Sequence, residues 1–155
     1  MSEAKESEAV RVVLFLCTGN YYRSRHAEAV FNHHAAVRGL PWRAASRGLA
    51  LEYGVHNVGP LARATIERLG ALGIAHAEYL RFPARVTEAD LAAADLIVAL
   101  KEAEHRPMVV ERYPGWDEKV NYWAVHDVDF APPEEALPQI EREVIELIDR
   151  LAATA

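Results

Sequence analysis

The stretch Val10-Arg11-Val12-Val13-Leu14-Phe15-Leu16-Cys17-Thr18-Gly19-Asn20-Tyr21-Tyr22-Arg23-Ser24 decides how this chain folds. Its first part is apolar and β-branched, interrupted only by Arg11, which reads as a strand buried on both faces over Val10–Leu16. Beyond Ser24, the residues Ala27, Val30, Phe31 and His34 recur at helical spacing, predicting a helix over Arg23–Arg38 that stops at Gly39. The one cysteine therefore stands where a central strand ends, and a short loop carries the chain into a helix N-terminus.

That placement has chemical consequences. The first helical turn leaves backbone N–H groups unpaired, and the helix dipole puts partial positive charge there. A loop containing Gly19 lets several amides converge, which makes Thr18 to Ser24 an anion cradle. Arg23 adds a planar fork of donors suited to a phosphate. The same field favours the thiolate of Cys17, and Ser24 can donate to its sulfur. Cys17 then becomes a nucleophile beneath a site for tetrahedral anions.

Working outward, Pro41–Ser46 reads as a short second strand and Gly48–Gly59 as a loop. Pro60 suits the first position of a helix carrying Leu61, Thr65, Leu69 and Leu72. His76–Arg85 has no clear period. Thr87–Ala93 reads as a short helix with Thr87 as cap and Asp90 three residues on. Leu96–Leu100 is a second apolar strand, followed by a helix to about Arg112 whose start Pro107 should disturb. Val120–Val125 is the last strand, Asp127–Pro133 a loop, and Glu134–Leu151 a helix with the stripe Leu137, Ile140, Val144, Leu147, Ile148 and Leu151. Strands alternating with helices predict an α/β protein, a small doubly wound fold with a four-stranded parallel sheet flanked by helices on both faces. Ligands in such folds bind beyond the carboxyl ends of the strands, where Cys17 and Asp127 would both lie.

The 155 residues, 51% of them hydrophobic, suit one globular domain over 10–155 behind a disordered acidic tail over 1–9. No run is long and apolar enough to span a membrane, and the start is not a signal peptide. One cysteine excludes an internal disulfide and fits a reducing, cytoplasmic location. A net charge of −6 disfavours nucleic acid as a partner. Positive potential for an anion must therefore be local, with Arg23, Arg25, His26 and Arg47 as candidates. The adjacent His33 and His34 point to different helix faces, and the seven histidines have no metal-ligand spacing.

The run Val13 to Ser24, continued by Ala27-Glu28, resembles the phosphate loop of low-molecular-weight protein tyrosine phosphatases. The resemblance extends from about Val10 to about Leu151. It implies hydrolysis of phosphotyrosine-type aryl phosphomonoesters through a cysteinyl-phosphate, without metal or cofactor. The partners it implies are a phosphorylated protein or small phosphoester, with inorganic phosphate or other oxyanions seated on Thr18, Gly19, Asn20, Tyr21, Tyr22, Arg23 and Ser24. Cys17 would be the nucleophile, Arg23 the oxyanion binder and Asp127 the general acid. Asp129 is the alternative acid, because Val128 replaces the proline that follows the acid in the family. Asn20 and Ser46 match residues that brace the phosphate loop. Tyr53, His56, Asp129 and Phe130 are candidates for the substrate cleft. Tyr22 stands where many members have a second cysteine, and Arg25 replaces the usual proline. A single thiol cannot run the three-cysteine relay of arsenate reductases built on this architecture. The alternatives are a phosphatase for a small or non-tyrosine phosphoester, and a phosphate- or phosphopeptide-binding module with weak catalysis.

Overall fold

The structure, a computed structural model, describes residues 9–154. Of the tail expected over 1–9, only Ala9 is among them. Strand β1 (Arg11–Cys17) is central. It pairs in parallel with β2 (Trp42–Gly48) at every position and with β3 (Leu96–Ala99) from Val13 to Leu16. The edge strand β4 (Asn121–Tyr122) pairs in parallel with β3, giving the order β2-β1-β3-β4. Helices α1 (Arg23–Val37), α2 (Arg63–Ala71), α3 (Glu88–Ala93), α4 (Glu102–Arg112) and α5 (Pro133–Ala153) complete the expected doubly wound α/β fold.

The alternation of β1 explains the layers. Val13 and Phe15 face one core with Val30 and Phe31 of α1, Leu69 of α2 and Ile140, Val144 and Ile148 of α5. Leu14 and Leu16 face a second core with Leu91 of α3 and Val109 of α4. Phe15 packs edge-on to Phe31 at 6.0 Å and against Trp123 at 5.7 Å. Such aromatic pairs contribute about 1 kcal/mol each beyond area burial. They also tie the segment after β4 to the strand that ends in Cys17.

Several boundaries differ from the sequence expectation. β1 ends on Cys17 itself, and β2 runs two residues past Ser46 because Arg47 and Gly48 pair with Leu16 and Cys17. A Cβ on Gly48 would lie 2.9 Å from the Thr18 carbonyl, so only glycine lets β2 end this close to the loop. The loop that follows contains a 3-10 turn over Leu51–Gly54. Pro60 does not open a helix. The chain there is spent on the phosphate loop: the Ala62 amide donates to the Tyr21 carbonyl and the Pro60 carbonyl accepts from Arg25, so α2 begins only at Arg63. α4 runs unbroken through Pro107. β4 is two residues, because Ala124 bridges antiparallel to Lys101, where the chain after β3 is already turning into α4. Thr87 and Asp90 form the expected capping box.

Candidate active site

Cys17 is 3% exposed, and its Sγ lies 2.9 Å from Ser24 Oγ. Asn20 Nδ2 donates to Ser24 Oγ at 2.9 Å and to Ser46 Oγ at 3.0 Å, while its Oδ1 accepts from the Ala84 amide. Ser46 donates to Glu28 Oε1 at 2.6 Å, and Arg81 donates to the same oxygen at 2.7 Å. A carboxylate only accepts, so this chain has one direction. With Asn20 filling an acceptor site on Ser24, the serine hydroxyl proton is free to point at the sulfur. Asn20 holds φ at 50°, the only positive value at a non-glycine among the described residues, and its side-chain bonds support that strained turn. Asn20 and Ser46 therefore brace the loop by direct contact.

The N-terminus of α1 carries no side-chain cap and no acid in its first turn, so its amides remain available to an anion. Arg23 is 2% exposed. Its Nη1 donates to Glu104 Oε1 at 3.1 Å and to the Val125 carbonyl at 3.0 Å, and its Nη2 donates to Glu104 Oε2 at 2.7 Å. Asp127 Oδ2 stands 3.7 Å from the same Nη2 on the other loop. Asp127 Oδ1 accepts from the Val128 amide, and its carbonyl accepts from Phe130 and Ala131.

A cleft of about 300 Å³ joins these groups. Cys17, Thr18, Gly19, Tyr21, Tyr22, Arg23, Tyr53 and Asp127 line it, together with Asn57, Arg63, Val128 and Pro133, which were not among the residues expected to line the cleft. Asn20 and Ser24 lie buried beneath it. His56, Asp129 and Phe130 are not among its lining residues. Phe130 instead lies under the Lys101 ammonium, 4.3 Å from its ring centroid, and beside His126. Tyr22 is buried with its hydroxyl unpaired, and burial followed by the charge of Asp127 pushes that hydroxyl up to about 12.

Of the cations expected to supply local positive potential, only Arg23 reaches the cleft. Arg25 is buried and donates to the carbonyls of Asn20, Pro60, Tyr79 and Arg81; burial first, then the charge of Arg81, pushes it down to about 10. It ties the loop to two neighbouring segments. His26 pairs with Glu141 on α5, and Arg47 lies 3.4 Å from Asp90. Arg63 is the unforeseen cation at the mouth. His33 and His34 stack edge to face, and no group of three or more His, Cys, Asp or Glu among the described residues could hold a metal.

A parallel α/β sheet whose first strand ends in a buried cysteine, followed by an arginine-closed loop and an uncapped helix, defines the class of cysteine-dependent phosphatases. The family model for low molecular weight phosphotyrosine protein phosphatase matches residues 12–154, and the chain belongs to that family. A curated relative, the protein-arginine-phosphatase of Bacillus subtilis (strain 168), is 29% identical over 108 residues, 70% of this chain and 67% of the relative. The low molecular weight protein tyrosine phosphatase of T. tengcongensis superposes with a TM-score of 0.76 at 27% identity, covering 90% of this chain and 99% of that one. YfkJ from Bacillus subtilis superposes with a TM-score of 0.80 at 26% identity, covering 94% and 97%.

Proposed function

We propose that this chain, as one catalytic domain from Val10 onward, hydrolyses phosphotyrosine-type aryl phosphomonoesters through a cysteinyl-phosphate. The reading rests on one observation: Asp127 stands 3.7 Å from Arg23 across a cleft that Cys17 also lines. The Cys17 thiolate attacks phosphorus in line as the P–O bond to the leaving group breaks. Loop amides from Thr18 to Ser24 and the Arg23 guanidinium hold the equatorial oxygens, whose charge must be stabilised in a desolvated site. Asp127 gives its proton to the departing phenolate oxygen. A water, deprotonated by the same carboxylate, then hydrolyses the thiophosphate ester and returns Cys17. Tyr53 gives the cleft an aromatic wall for an aryl group. Inorganic phosphate or vanadate would occupy the same cradle. A reducing cytoplasm suits a nucleophile that must remain a thiol.

A second reading is a non-tyrosine phosphate, favoured by the position of Asp129 and Phe130 outside the cleft lining, which leaves one side of the mouth without an aromatic. Because a curated relative is a protein-arginine-phosphatase, phosphoarginine peptides belong in the same comparison. The test is hydrolysis of para-nitrophenyl phosphate by wild type and Cys17→Ser, with phosphotyrosine, phosphoserine and phosphoarginine peptides alongside. Turnover should fall by on the order of 10⁴-fold or more in Cys17→Ser while the fold survives. Appreciable activity in that variant would remove the covalent mechanism, and a preference for another peptide would replace phosphotyrosine as substrate.

A further inference from the structure

Outside the cleft lining, the first turn of α4 brings Glu104 and His105 against both ends of the phosphate loop, Thr18 and Arg23. Glu104 Oε1 accepts from Arg23 Nη1 at 3.1 Å, and Oε2 accepts from Nη2 at 2.7 Å. The same Oε2 accepts a short hydrogen bond from the Thr18 hydroxyl. His105 is fully buried. Its Nδ1 accepts from the Lys101 amide at 3.0 Å, so a neutral ring carries its proton on Nε2. That Nε2 lies 3.3 Å from Glu104 Oε2 and 3.1 Å from Thr18 Oγ1. The Thr18 hydroxyl thus accepts from His105 Nε2 while donating to Glu104, and the carboxylate receives donors from both ends of the loop.

We infer that Glu104 is a positioning residue for the phosphate site, a carboxylate clamp that fixes the Arg23 guanidinium and the Thr18 end of the loop together. The inference rests on Arg23 being the oxyanion binder. A guanidinium has five N–H donors in one plane. Glu104 and the Val125 carbonyl take donors on Nη1 and Nη2, which orients the plane and leaves the remaining N–H groups for an anion in the cleft. Glu104 itself does not line the cleft, so it acts through Arg23 and Thr18. The ionisation states agree with the geometry. Burial alone would raise the Glu104 carboxyl, but donors from His105 and Arg23 and the Arg23 charge hold it well below the usual range. Burial also pushes His105 down, which keeps it a neutral Nε2–H donor. One carboxylate therefore receives an arginine fork and a hydroxyl that the His105 imidazole itself holds, which removes the freedom of the arginine before any substrate arrives.

The test uses Glu104→Gln, which keeps the side-chain length but loses the charge and turns one acceptor oxygen into a donor facing Arg23. With para-nitrophenyl phosphate, kcat/KM should fall by about 100-fold, the cost of a small misplacement at a reacting centre, with most of the loss in kcat. Affinity for inorganic phosphate, measured by calorimetry, should fall as well. The decisive arm is a cycle with Arg23→Lys: if Glu104 acts through Arg23, adding Glu104→Gln to the lysine variant should cost less than 3-fold more. Additive losses, or a Glu104→Gln enzyme with wild-type kcat and phosphate affinity, would overturn the clamp. Should Glu104→Gln not fold, Glu104→Asp keeps the charge but is a methylene too short to reach both Arg23 nitrogens and Thr18, and the same outcomes apply. Were the wild type to bind phosphate without hydrolysing the ester, the function proposed above would fail, while phosphate affinity across the cycle would still decide the clamp.

Discussion

The two loops that face each other across the cleft are held in opposite ways. The loop from Cys17 to Ser24 is buried and held from several directions: Ser46 and Ala84 bind Asn20, Val58 accepts from Tyr21, Glu104 binds Thr18 and Arg23, and Arg25 binds the Asn20 carbonyl. The loop carrying Asp127 is more exposed, with Val128 and Phe130 largely in solvent, and its bonds are local, from Asp127 to the next few residues. On the proposed mechanism the side that carries Cys17 must bind three oxygens at fixed positions, and rigidity there is already provided for when substrate arrives. The side that carries Asp127 must, on the same proposed mechanism, reach leaving groups of different sizes, and a sparsely held loop can adjust to them. Shape at the phosphate and tolerance at the leaving group are thus divided between two segments.

Arg23→Lys strikes the rigid side hardest. A flexible point charge cannot replace a fork bound to Glu104, and the barrier should rise by about 2–4 kcal/mol, read as a loss in kcat/KM of roughly 30- to 1000-fold. Near-wild-type kinetics would remove Arg23 from the site. On the adaptable side, Asp127→Asn should lower phosphotyrosine hydrolysis by about 100-fold and affect a nitrophenyl ester much less, because a good leaving group needs no proton. If Asp129→Asn shows that leaving-group dependence instead, the two acids exchange roles.

The rigid side also has a pH signature. Burial opposes ionisation of Glu141, but hydrogen bonds from Arg68 and His26 outweigh it and hold its carboxyl at about 2, against about 4.3 for a free glutamate. A carboxyl depressed on folding adds stability above the unfolded value and loses it as pH falls through the folded one. Glu141→Gln should therefore lower Tm by several degrees at pH 7, and the difference from wild type should shrink between about pH 5 and pH 2. A pH-independent difference would show that lost packing, not charge, is responsible. The smallest effect belongs to Asp129→Asn, which should lower KM for acidic phosphopeptides a few-fold at low salt by removing a repelling charge outside the cleft lining. An unchanged KM across salt concentrations would take Asp129 out of recognition.

How far the sequence carried depends on what each residue has to do. β1 and β3 were legible because strands covered on both faces must be continuously apolar, and Val12–Leu16 and Leu96–Ala99 are. β4 was over-read, since Val120–Tyr122 continues into Trp123 and Val125 with the same apolar character even though regular pairing stops. Cys17, Arg23 and Asn20 could be read because their spacing along one short loop is itself the geometry. Glu104 could not. Along α4 it is one of three glutamates, Glu102, Glu104 and Glu111, all of which look like a solvated face. Only the pairing of β1 with β3 brings α4 under the loop and singles one of them out. Arg25 was misplaced for the converse reason: nearness to Arg23 in the sequence suggested the cleft, but positions two apart on a helix do not face the same way, and its side chain runs to backbone carbonyls instead.

The pairing of β1 with both neighbours also sets a clock. Cys17 and the loop after it receive their surroundings from Gly48, Ala84, Glu104 and Asp127, all later in the chain, so the loop leaves the ribosome before the segments that complete it. Parallel partners separated by some thirty and some eighty residues must close large loops before they are rewarded, which makes such assembly slow. Until then the thiol is an accessible, ordinary one. Because the chain has no other thiol, a pulse of alkylating reagent during refolding would report, without background, the moment at which the strands close around it.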